Sequence, residues 1–190
     1  MNRREAISSV AFLLGGTILG SQAFVLSGCS SSVKETNDLF SQSDIALMDE
    51  IAETIIPKTN TPGAKDAKTG AFIAVMIKDC YTPEDQRVFI DGLKKIDEEA
   101  KKDFSKTFIE CSPEDRKKLL ERIDAEQKEY QDKKEKEDPN HYFRMMKELT
   151  LLGYFTSEEG GNNNLTYVEV PGRYDACIPY KKGDPVYLNP

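Results

Sequence analysis

The chain has 190 residues, of which 38% are hydrophobic and 31% charged, and its 33 acidic and 26 basic side chains give a net charge of −7. This length accommodates one domain with a substantial hydrophobic core. The acidic balance argues against nucleic acid as a partner, because the protein surface would repel phosphate groups.

Residues 1–28 are predicted to be a twin-arginine-type lipoprotein signal peptide. Arg3 and Arg4 are adjacent, as in substrates of the twin-arginine route. The apolar stretch that follows is interrupted by glycine, serine and glutamine, and it is too short for a membrane-spanning helix. The general secretory route is the alternative, because Ala6 stands where twin-arginine signals often carry phenylalanine.

Leu26-Ser27-Gly28-Cys29 resembles the bacterial lipobox, in which the cysteine is lipidated after cleavage. An ordinary cleavage site with a chance cysteine is the alternative. Acylation of Cys29 with two or three chains would anchor the protein stably. Residues 29–40 then form a flexible polar tether. We expect a location on the periplasmic face of a bacterial membrane, with the outer membrane slightly favoured because Ser30 is not an acidic retention signal.

Residues 41–190 are predicted to form a mainly α domain, a compact bundle of about five helices with an irregular aromatic C-terminal tail. Apolar residues at three-and-four spacing indicate the first helix, which Ser41 or Ser43 caps and Pro57 ends. A second, shorter helix is expected around 72–80. The apolar side chains of these two helices are Ile45, Met48, Ile51, Ala52, Ile55 and Ile56, then Phe72, Val75, Met76 and Cys80.

Two similar segments, Thr82-Pro83-Glu84-Asp85 and Ser112-Pro113-Glu114-Asp115, predict the starts of the third and fourth helices. Each has a capping hydroxyl, a proline at the first helical position and acids in the first turn. A fifth helix fits residues 139–152. The predicted inner faces are Phe89, Leu93, Ile96 and Ala100, then Leu119, Leu120, Ile123 and Tyr130, then Tyr142, Phe143, Met146, Leu149 and Leu152.

The segment after Gly153 has a different composition, with five of the eight tyrosines and four of the nine prolines. It is predicted to be irregular, with a short strand within 165–170. Aromatic side chains without regular structure must pack against this domain or against a second protein.

Three cysteines remain besides Cys29. In an oxidising compartment Cys177 could form a disulfide with Cys80 or with Cys111, and three buried free thiols are the alternative.

The sequence lacks the motifs of common enzyme active sites. His141 is the single histidine and has no ligand cluster at zinc spacing, so a solvated or capping role is expected. No C-x-x-C-H, G-x-G-x-x-G or G-x-S-x-G motif occurs. We therefore expect no catalytic, cofactor-binding or metal-binding residues in this chain.

Three stretches carry a family resemblance: I-I-P-K-T-N-T-P-G-A at 55–64, L-T-L-L-G-Y-F-T-S-E at 149–158 and V-P-G-R-Y-D-A-C-I-P at 170–179. They resemble the gluconate 2-dehydrogenase subunit 3 family over roughly residues 41–190. The resemblance implies a small subunit without cofactor, which aids the maturation and twin-arginine export of a large FAD-dependent subunit of the glucose–methanol–choline type. A cytochrome c subunit with haem is found in some such complexes.

The leading hypothesis is therefore a non-catalytic accessory subunit of a periplasmic sugar or sugar-acid dehydrogenase. A stand-alone periplasmic lipoprotein that binds a ligand or acts as a scaffold is the alternative. Interfaces favour aromatic anchors, and the tail supplies the candidates. The predicted partner interface consists of Tyr154, Phe155, Tyr167, Tyr174 and Tyr180.

Overall fold

A computed structural model of the chain describes residues 39–170, 172–173, 177–184 and 186–187. Two short strands within this part, β1 (Leu165–Thr166) and β2 (Val186–Tyr187), pair in parallel. The helices of the described residues are α1 (Gln42–Ile55), α2 (Thr69–Cys80), α3 (Pro83–Phe104), α4 (Pro113–Lys133), α5 (Tyr142–Phe155) and α6 (Glu158–Asn164), with a 3₁₀ turn at Phe108–Glu110. The predicted mainly α bundle is confirmed, and α6 is an addition to the five expected helices.

The predicted capping chemistry starts the long helices. The hydroxyls of Thr82 and Ser112 each accept a hydrogen bond of 3.2 Å from the N–H three residues later. A proline follows each cap at the first helical position. Ser41 caps α1 and forms a capping box with Asp44. Each cap satisfies a backbone donor that the helix itself leaves free.

Helix α6 forms in the sequence E-E-G-G-N-N-N, which has poor helix propensity. Ser157 caps it by accepting a 3.0 Å hydrogen bond from the N–H of Gly160. A Cβ atom on Gly160 would lie 2.0 Å from the carbonyl oxygen of Tyr154. The glycine therefore permits α6 to fold back tightly against the end of α5, and this tertiary contact outweighs the weak propensity.

The core lies where α1 to α5 face one another. The predicted inner faces are confirmed for α3 and, at three of four positions, for α4. Four side chains predicted to be buried are exposed instead: Val75 by 49%, Leu152 by 46%, Tyr130 by 37%, and Cys80. Side chains with the lowest exposure in the core include Met48, Ile51, Ile73, Ile77, Ile96, Phe108 and Ile123.

These side chains are exposed because of the direction in which each one projects from its helix. Helix α2 buries Ile73, Ala74 and Ile77, which turns Val75 and Cys80 toward solvent. Tyr130 lies at the periphery, where its hydroxyl donates a 3.0 Å hydrogen bond to the carbonyl oxygen of Pro139. Val75 is two residues from both Ile73 and Ile77, so it projects from the opposite side of the amphipathic helix.

Candidate partner-binding site

Tyr154 joins two of the stretches that carry the family resemblance. Its ring is buried against Ala52 and Ala64. Its hydroxyl donates a 2.5 Å hydrogen bond to the carbonyl oxygen of Pro62 and accepts one of 2.5 Å from the side-chain amide of Asn164. The prediction that Tyr154 contacts a partner is therefore wrong, because the phase of α5 turns this side chain into the domain.

The loop between α1 and α2 is held by a carboxylate from α1. Glu53 accepts hydrogen bonds from the backbone N–H groups of Lys58 and Lys65, at 2.8 and 2.9 Å. Gly63 lies so close that a Cβ atom there would be 2.3 Å from the Glu53 carboxylate. The motif at 55–64 is thus a loop of defined shape rather than a set of reactive groups.

A partly buried ionic cluster secures the same side of the bundle. Glu50 pairs with Arg116 at 2.5 Å and with Lys65. The guanidinium also donates to the carbonyl oxygens of Phe108, at 3.0 Å, and Ile109. Burial raises the pKa of Glu50, but its hydrogen bond to Lys65 and the charge of Arg116 outweigh burial and leave the pKa lowered. The carboxylate is therefore held ionised as a structural anchor.

The outer face of α5 changes from charged to apolar along its length. Arg144 and Glu148 form an ion pair of 2.8 Å on this face. The following outward positions are Leu151, Leu152 and Phe155, whose exposed fractions are 45%, 46% and 41%. We call these three residues the α5 surface. They lie within the stretch at 149–158, so this motif supplies core residues on one side of the helix and an apolar surface on the other.

Exposed apolar side chains continue in the C-terminal tail. Tyr167 is 60% exposed, Val170 79% and Tyr180 64%. Phe155, Tyr167 and Tyr180, three of the predicted interface residues, are thus accessible to a partner. Tyr174 lies outside the described residues.

Sequence reasoning missed Leu151 and Val170 and assigned Leu152 to the core. The spacing of Arg144 and Glu148 would have placed Leu151, Leu152 and Phe155 on the same helical face, because residues three and four apart are neighbours.

The described cysteines are free thiols. Cys80 and Cys177 are exposed, whereas Cys111 is buried. The structure therefore contains neither bridge predicted for Cys177. Burial of Cys111, together with the nearby carboxylate of Asp115, raises the pKa of its thiol.

Two titratable side chains that line a groove of the bundle are engaged in structural contacts. A groove of about 470 Å³ lies between α1 and α3, and its lining includes Asp97 and Lys101. These two side chains form an ion pair of 2.6 Å, and Asp97 also accepts a 2.9 Å hydrogen bond from the N–H of Phe108. Across the described part of the chain, no group of three or more histidine, cysteine, aspartate or glutamate residues could hold a metal ion.

His141 has the predicted capping role. Its Nδ1 accepts a 3.2 Å hydrogen bond from the N–H of Phe143 at the start of α5. Burial and the charge of Lys95 lower the pKa of His141, against an opposing effect of Glu126.

The candidate site is thus an exposed apolar surface on a small helical domain. None of the helices within the described ranges has the length and apolar composition of a membrane span. The model of the family "Gluconate 2-dehydrogenase subunit 3" matches residues 42–172, from the first residue of α1 to beyond β1. The chain therefore belongs to the gluconate 2-dehydrogenase subunit 3 family. Comparison with curated proteins and with solved structures found no significant match.

Proposed function

We propose that this chain is the non-catalytic small subunit of a periplasmic FAD-dependent sugar or sugar-acid dehydrogenase of the glucose–methanol–choline type. It binds the large flavoprotein subunit, supports its maturation and takes it through the twin-arginine pore. The family name supports a role as one subunit of a dehydrogenase complex. FAD belongs to the large subunit in this proposal, and a cytochrome c subunit would accept its electrons in complexes that contain one.

The exposed α5 surface carries the proposal. Three large apolar side chains side by side on a helix are costly in water and are a feature of protein interfaces. They occur within the most specific of the stretches that carry the family resemblance. Aromatic residues of the tail, such as Tyr167 and Tyr180, would extend the contact.

Export and anchoring follow from the N-terminal segment in this proposal. Flavin is inserted in the cytoplasm, so the large subunit folds before it crosses the membrane and requires the twin-arginine route. Arg3 and Arg4 would supply the export signal for both subunits, and the lipidated Cys29 would attach the complex to the membrane.

The experiment is a pull-down with the tagged full-length chain in mild detergent, followed by an absorbance spectrum of the eluate. We expect a large co-purifying chain with a flavin spectrum. Leu152→Glu should abolish its capture, because it places a charge in the apolar contact. Ile109→Glu is the matched control, since Ile109 is also 40% exposed but lies on the 3₁₀ turn.

A second variant tests the tail without disturbing the core. Removing residues 165–190 preserves Tyr154 and Asn164, and it should weaken capture of the flavoprotein. A colourless single band from the wild-type chain, with a flavoprotein gene expressed beside it, would contradict the proposal and favour the stand-alone lipoprotein.

A further inference from the structure

The α5 surface lies in a segment from which basic side chains are absent. Between Glu148 and Val170 the sequence has four glutamates and no aspartate, lysine, arginine or histidine. The rest of the chain carries all 26 basic residues, so this segment departs sharply from the mixed charge of the domain. The segment itself thus contributes only acidic side chains beside its apolar residues, while Arg144, paired with Glu148, precedes it on the same face of α5.

The folding of the chain keeps two of these acids close to the end of the α5 surface. Glu158 and Glu159 form the first turn of α6, directly after α5 ends at Phe155. A Cβ atom on Gly161 would lie 3.3 Å from the carbonyl oxygen of Phe155, so α6 lies against this end of α5. Glu169 stands beside the exposed Val170.

Three of these carboxylates make no ion pair with any residue that the structure describes: Glu158, Glu159 and Glu169. Several carboxylates of the bundle are paired with basic side chains. Asp124, for example, pairs with Lys147 at 2.5 Å and with Lys128 at 2.9 Å. Glu158, Glu159 and Glu169 thus add negative charge that no ion pair with a described residue neutralises. Acids in the first turn of α6 also stabilise that helix, but this effect does not account for Glu169.

We propose that the α5 surface docks into an apolar groove of the flavoprotein subunit that is bordered by lysine and arginine side chains. This inference rests on the proposed function and adds the chemistry of the partner's surface. Leu151, Leu152 and Phe155 enter the groove, and the surrounding glutamates face the basic border. Complementary charge at the border of an interface accelerates the encounter of the partners and rejects wrong ones, while burial of the apolar centre keeps the complex together.

The experiment measures binding of the flavoprotein subunit that co-purifies with the wild-type chain, at low and at high ionic strength. The test variant of the full-length chain is E158Q/E159Q/E169Q. We expect its association rate at low ionic strength to fall about tenfold, because steering by opposite charge is lost. Binding of the variant should also respond less to salt than binding of the wild type.

The matched control is E98Q/E135Q/E137Q, which removes the same charge from exposed glutamates outside the segment. It should bind as the wild type does, and thermal unfolding of both variants checks that the fold is intact. Equal weakening by both triple variants would overturn the inference, because net charge alone would then explain the effect.

Two further outcomes separate this inference from the proposed function. If Leu152→Glu abolishes binding while the test variant binds like the wild type at every ionic strength, the basic border is wrong and the accessory role stands. If the wild-type chain captures no flavoprotein, both proposals fail.

Discussion

The hydroxyl of Tyr154 donates a hydrogen bond of 2.5 Å to the carbonyl oxygen of Pro62, which lies 92 residues earlier in the chain. This contact fixes the end of α5 to the loop between α1 and α2. The neighbouring residue, Phe155, faces solvent. Two consecutive residues of α5 thus have different roles: Tyr154 packs inside the domain, and Phe155 belongs to the proposed interface.

Tyr154→Phe should destabilise the domain without removing apolar volume. The carbonyl of Pro62 and the side-chain amide of Asn164 would both lose their partner in a partly buried site. We expect the free energy of unfolding to fall by about 2 kcal/mol in urea denaturation. Tyr167→Phe, at a 60% exposed position, should leave it unchanged. Equal stability of the two variants would show that the buried hydroxyl contributes nothing.

Arg116→Met tests the ionic cluster with Glu50. Loss of the guanidinium leaves the Glu50 carboxylate with Lys65 alone and removes a donor from two backbone carbonyls. Removing one partner of this partly buried, hydrogen-bonded ion pair costs about 2 kcal/mol of unfolding free energy. Arg87→Met, at an exposed position, is the control and should change stability little. A Glu50→Gln/Arg116→Met double variant measures the coupling, which should be clearly different from zero.

His141 should make stability depend on pH. Its folded pKa is lowered from the ordinary value of 6.5, so the unfolded chain binds a proton more readily than the folded one. The contribution is fully present above pH 6.5 and is lost as the pH falls through the folded pKa. Protonation also removes the lone pair that accepts the N–H of Phe143.

His141→Asn keeps a capping acceptor without this titration. Denaturation curves between neutral and mildly acidic pH should show a smaller loss of stability in the variant than in the wild type. Parallel curves for the two proteins would contradict a role of His141 in the pH dependence.

The thiols should differ in reactivity. Cys80 and Cys177 are exposed and should be alkylated rapidly in the native protein. Cys111 is buried and has a raised pKa, so it should react only after unfolding. Site-resolved mass spectrometry after labelling measures each position separately. Protection of Cys177 that disappears on reduction would instead reveal a disulfide.

The sequence was sufficient to predict the helices whose ends carry local signals. Thr82 and Ser112 specify their helix starts through chemistry within four residues. Which apolar side chains of a helix are buried was harder to predict. Leu149 and Leu152 are equally apolar, and only packing against the other helices buries the first and leaves the second exposed. Helix α6 was not predicted, since its glycines lower helix propensity but allow the close approach to Tyr154. The residues of the proposed interface also depend on how α5 is oriented in the folded bundle. The sequence did not give this orientation, so Tyr154 was a wrong candidate and Leu151 was missed.

The carboxylate of Glu53 has a consequence for how the loop motif can vary among relatives. It binds the main-chain N–H of Lys58, which every residue except proline possesses. The Lys58 side chain adds only an exposed ion pair of 2.9 Å with Asp66, a type of contact that contributes little. We expect position 58 to accept most side chains across the family, while an acid at position 53 marks the chains that share this loop conformation.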